Sequence, residues 1–77
     1  MRKYTQKELK NLVATGAAAN LTNYSFEALR DFLHSHNIEK IGYSSGVYGL
    51  NGGLLQDRDN GEMYAITARN TALSMAF

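Results

Sequence analysis

The chain has no cysteine and no proline, and its longest apolar runs are only a few residues. Without cysteine there is no disulfide staple and no thiolate chemistry, a usage that fits a cytoplasmic setting. Without proline, a linker-rich or disordered chain is disfavoured and a compact α+β unit is favoured. Short apolar runs exclude a membrane-spanning helix. Arg2 and Lys3 make a basic start, but no hydrophobic segment follows, so no secretory leader is expected.

The 77 residues allow one domain with one modest core. A chain of this size buries only roughly 60 to 65% of its unfolded surface, so close packing or oligomerisation must compensate. Net charge is +1, and the pI near 8.0 lies below the value of about 9 usual for a dedicated DNA-binding domain. The one basic cluster is Arg2, Lys3, Lys7 and Lys10. A solvated helix face explains it, and phosphate binding is the alternative.

Thr5-Gln-Lys-Glu8 is a capping box, in which Thr5 accepts the amide of Glu8 and Glu8 reaches back to Thr5. Leu9, Leu12 and Val13 share one helical stripe and Gly16 is a natural stop, so a helix is predicted over about 6–15. Residues 17–23 suit either a short strand or an extended link. Ser25 offers a second cap, and Phe26, Leu29, Phe32 and Leu33 make the stripe of a helix over about 26–36.

Six of the seven glycines fall between Gly42 and Gly61, with Asn51-Gly52 and Asn60-Gly61 among them. Asn-Gly tolerates the positive φ of tight hairpin turns. Strands are therefore predicted over about 40–50, 53–58, 62–68 and 71–77, with a two-residue loop at Asn51-Gly52. A three-residue loop follows at Asp59-Asn60-Gly61, where Gly61 is left-handed and Arg58 lies opposite Glu62. That register gathers Ile41, Tyr43, Val47, Leu54, Tyr64, Ile66, Leu73, Met75 and Phe77 on one face. The expected fold class is α+β: two amphipathic helices packed on one face of a four-stranded antiparallel meander. Thr71 could instead cap a short terminal helix.

The opposite face of that sheet is poor in charge and rich in small residues. It carries Ser44, Tyr48, Leu55, Thr67 and Arg69 as the candidate contact set, open to close approach by another backbone, a base or a second copy.

No chemistry-bearing motif survives its context. Gly42-Tyr-Ser-Ser-Gly46 fits G-x-S-x-G, but lies within a predicted antiparallel strand and lacks the strand-to-helix elbow. The glycines match neither phosphate-cradle spacing, and a strand follows them where a helix is required. His34 and His36 are two apart on a helix and point to different sides, which does not suit a shared metal. Asp57, Asp59 and Glu62 are explained by turn chemistry. No catalytic residue, metal site or cofactor is assigned, and a non-enzymatic chain is expected.

The run Gly42-Tyr-Ser-Ser-Gly-Val-Tyr-Gly-Leu-Asn-Gly-Gly-Leu-Leu55, with Met63-Tyr-Ala-Ile-Thr-Ala-Arg-Asn-Thr-Ala-Leu73, resembles small accessory proteins of phages, prophages and plasmids. In size and style the chain is similar to anti-defence proteins such as anti-CRISPRs. The resemblance implies a non-enzymatic binder of a bacterial host protein such as a defence nuclease. That group shares no common motif, so no residue role carries over. The resulting expectation is an interaction module that docks its Tyr48 face or a sheet edge on a bacterial protein, with edge pairing between copies as a route to a homodimer. The alternative is a nucleic-acid binder using Arg2, Lys3, Lys7 and Lys10 for phosphates and Tyr48 with Arg69 for bases.

Overall fold

The computed structural model describes residues 1–46 and 49–68. Within them the order is β1 (Arg2–Lys3), α1 (Gln6–Ala14), β2 (Ala18–Asn20), α2 (Phe26–Ser35), β3 (Ile38–Gly46), β4 (Gly49–Asp57) and β5 (Met63–Ile66). The fold is α+β, and the five strands form one mixed sheet in the order β1-β3-β4-β5-β2. β3, β4 and β5 are the antiparallel meander, while β1 and β2 join its two edges in parallel. The expected sheet of four antiparallel strands therefore holds for its centre and not for its edges. The fourth expected strand, 71–77, and its alternative terminal helix lie outside the described residues.

Both helices begin where their caps place them. Thr5 Oγ1 accepts from the Glu8 amide at 3.1 Å, and Glu8 Oε1 accepts from the Thr5 amide at 3.2 Å. Ser25 Oγ accepts from the Ala28 amide and opens α2. Asn20 to Ala18 resolve the ambiguous segment 17–23 as a three-residue strand beside β5.

The helices do not share a face. Successive strand residues point to opposite sides of a sheet. Leu54 and Ala65 pack with Leu9 of α1, together with Ala18. Their chain neighbours Leu55 and Ile66 pack with Leu29 of α2, together with Leu21. The sheet is thus the middle of three layers, with α1 on one side and α2 on the other. Adjacent apolar pairs, Leu54-Leu55 and Ala65-Ile66, require cover on both faces, which two helices on one side cannot supply.

Two registers differ from expectation, for separate reasons. Asn51-Gly52 is not a turn: Gly46 already pairs with Gly49, and both residues lie inside β4. Ser44 pairs with Gly52 and Ser45 with Leu50, leaving Asn51 as the extra residue of a β-bulge. Gly52 has φ +150°, and a Cβ there would run into the carbonyl oxygen of Ile66. A second bulge lies at Ile41 on β3.

The β4–β5 turn is one residue longer than expected. The Asp57 amide donates to Glu62 O at 2.9 Å and the Gly61 amide to Asp57 O at 2.8 Å, with Gly61 at φ +76° as expected of a left-handed turn residue. Asp57 Oδ1 and Asn60 Oδ1 satisfy the amides of Asp59 and Glu62, which stabilises the longer loop. The added residue slips the register by one, so Leu55 faces Tyr64 and Leu54 faces Ala65. Arg58 consequently pairs with Glu39, at 3.0 Å, and not with Glu62.

Candidate functional site

Of the expected contact set, the described members are interior. Leu55 is fully buried in the α2-side core. Ser44 is 1% exposed and sits on the α1 side, where Gln6 Nε2 donates to its Oγ at 3.1 Å. Thr67 is buried at the end of β5, its amide donating to Thr22 Oγ1 at 2.8 Å. The two-sided cover and the shifted register distribute these residues among separate places, so they form no common exposed face. Tyr48 and Arg69 lie outside the described residues.

The same contacts account for Ser44 in its G-x-S-x-G setting. It sits in mid-strand under a helix, and the Gln6 amide that reaches it also donates to Asn51 O at 2.7 Å. The bulge takes that carbonyl out of regular pairing, and the first turn of α1 satisfies it. Gln6 and Asn51 are thus the residues that sequence reasoning missed. Nothing in a single glutamine at the start of a helix signals a bond to a strand 45 positions away.

The amino-terminal cations are exposed but do not share one surface: Arg2 turns to the α1 side, and its strand neighbour Lys3 to the opposite side. Arg2 and Lys3 occupy the exposed edge strand β1, and Lys7 and Lys10 stand exposed on α1, one turn apart. Arg2 lies over the Tyr4 ring at 4.6 Å and its Nη2 meets Glu8 Oε2 at 3.0 Å. The Tyr4 ring in turn presses on Gly42, whose missing side chain makes the space. A shallow hollow of about 510 Å³ runs along α1, lined among the described residues by Lys7, Glu8, Lys10, Asn11 and Ala14. A smaller one of about 190 Å³ adjoins it beside Arg2, Tyr4 and Leu12.

The sheet edges differ from one another. β3 runs for nine residues, whereas β1 pairs with it only at Gly42 and Tyr43. Ile38–Ile41 therefore extend beyond the described edge strand. Lys40, within that segment, has its pKa lowered by burial. Tyr64, which like Lys40 is registered with Leu55, has its pKa raised by burial first and then by the carboxylates of Glu62 and Asp57.

His36 is held against Phe32, with ring centroids 4.6 Å apart and Nδ1 3.0 Å from Phe32 O, a structural placement at the end of α2. No group of three His, Cys, Asp or Glu residues suited to a metal occurs among the described residues. None of their helices is long and apolar enough to cross a membrane. No protein-family model, curated protein or solved structure matches this chain.

Proposed function

We propose that this chain is a small non-enzymatic interaction protein that docks on a bacterial protein by its β3 edge and modulates that partner. The observation that carries the reading is the mismatch of the edge pair: nine residues of β3 against two of β1. Both faces of the sheet carry a helix, which leaves edges and outer helix surfaces for contact. A strand that outruns its described neighbour offers main-chain groups to an extended partner segment, with alternate side chains setting specificity. Buried Ser44, Asp57 and Thr67 are each committed to a bond within the fold, which suits a binding module. The resemblance to mobile-element accessory proteins supplies the partner class, a host defence nuclease or similar protein.

Affinity capture from bacterial lysate, with and without nuclease, followed by hydrogen exchange on the recovered complex, tests this. A stoichiometric protein partner should survive nuclease, and amides within 38–41 should gain protection. Recovery of nucleic acid alone would sink the reading. Loss of capture in Tyr48→Ala and Arg69→Ala, with no protection at 38–41, would move the contact to the surface expected from the sequence. A dimer of this chain protected at 38–41 would instead place a second copy on that edge.

A further inference from the structure

We propose that the Asn60-Gly61 peptide of the β4–β5 turn is a self-modification site, where the asparagine is converted to aspartate and isoaspartate within the folded protein. The chain has two Asn-Gly dipeptides of the same intrinsic chemistry, and the fold gives them opposite surroundings. Asn51 and Gly52 lie inside β4, where Gly52 is buried and the Asn51 carbonyl accepts from Gln6 at 2.7 Å. A Cβ at Gly52 would run into Ile66 O. Asn60 and Gly61 are both exposed, and a Cβ at Gly61 would meet nothing within 4 Å. A nitrogen nucleophile and the water that follows it are therefore unhindered at the turn and shut out in the strand.

The turn also gathers the reacting groups. Asn60 Oδ1 accepts from the Glu62 amide at 2.8 Å. Such an Asx turn mimics a backbone turn and folds the Asn60 side-chain amide back over the next peptide, so proximity favours ring closure. The Gly61 nitrogen attacks Asn60 Cγ: an N–Cγ bond forms, the Cγ–Nδ2 bond breaks, and Nδ2 leaves as ammonia with the Gly61 proton. Charge developing on Oδ1 meets the Glu62 amide already bonded to it. Water then opens the succinimide at either carbonyl, giving aspartate or isoaspartate. Attack requires the Gly61 amide to leave Asp57 O, to which it donates at 2.8 Å. That bond belongs to an exposed loop, which opens locally, whereas Asn51-Gly52 is freed only when β4 opens between β3 and β5. Isoaspartate adds a methylene to the main chain of the loop whose length sets the β4–β5 register.

Peptide mapping by mass spectrometry tests this, on the full chain aged in mildly alkaline buffer and on the same chain aged in enough urea to unfold it. In the folded protein, conversion at Asn60 should outrun conversion at Asn51 at least about tenfold, equivalent to about 1.4 kcal/mol between the two openings. In urea the two rates should converge, since only the fold separates the dipeptides. Hydrogen exchange adds a second readout. Asn60→Asp keeps an acceptor for the Glu62 amide and should keep its protection, whereas the isoaspartate form, isolated by chromatography, should lose protection at Gly61 and Glu62. Two results would overturn the assignment: equal rates at the two sites in the folded protein, or conversion at Asn60 no faster than the globally unfolded population allows. None of these readouts involves a partner, so the site stands or falls separately from docking at β3.

Discussion

The two faces of the sheet solve the same covering problem by different means. On the α1 side Leu9, Ala18, Leu54 and Ala65 are flanked by Tyr4, Ile41 and Met63, and a polar clasp joins helix to strand. On the α2 side the filling is bulky and apolar: Leu29, Leu55 and Ile66 are flanked by Phe26, Phe32 and Tyr64. Phe32 meets the Tyr64 ring edge-on at 4.8 Å. Both helices are held by apolar contact, and α1 adds the directional bonds of Gln6 to Ser44 and Asn51. A small domain gains from the combination, because apolar filling supplies most of the stability and the clasp selects one arrangement.

Gly52→Ala is the strongest way to break this arrangement. The new Cβ would meet the Ile66 carbonyl oxygen at a φ that alanine rarely adopts. A loss of about 3–5 kcal/mol is expected, measured by urea unfolding. Leu29→Ala comes next, at about 3 kcal/mol. If the faces are held independently, hydrogen exchange should show α2 losing protection while α1 keeps most of its own. Equal loss in both helices would show the layers to be one cooperative unit.

Gln6→Ala sharpens the contrast from the other side. It leaves the apolar contacts of α1 intact but removes the donor to Ser44 and Asn51, at an expected cost of about 1–2 kcal/mol. A cost near zero would mean that α1, too, is held by area alone.

The smallest effect concerns pH. The Tyr64 phenol has a raised pKa in the folded protein, so the unfolded chain ionises first as pH climbs. Stability should be fully present below the ordinary tyrosine value and fall as pH rises through it. Tyr64→Phe should flatten that alkaline limb in thermal unfolding scans.

Local chemistry was readable wherever it is local. The capping box at Thr5, the cap at Ser25, both helical stripes and the left-handed Gly61 follow from neighbours within a few residues, and each appears as expected. β1 carried no such sign, since Arg2-Lys3 is too short and too ordinary to read as a strand, and residues 17–23, which hold β2, suited either a short strand or an extended link. The basic cluster was legible as composition, and its setting beside Tyr4 and Glu8 was not. The contact set failed for a similar reason: the β3–β4 register puts Ser44 on the side of Leu54, and the added β4–β5 loop residue parts Thr67 from Leu55.

By itself, then, the sequence determined two capped amphipathic helices, a glycine-rich antiparallel centre and a basic amino terminus, because propensity, capping and periodicity act within a turn or two of chain. Only the tertiary structure decided that Asn51-Gly52 is a bulge, that short parallel strands join both edges of the described meander, and that the helices take opposite faces. Those outcomes depend on partners far apart in the chain: Gln6 with Asn51, Gly52 with Ile66, and Leu54 and Leu55 each with its own helix.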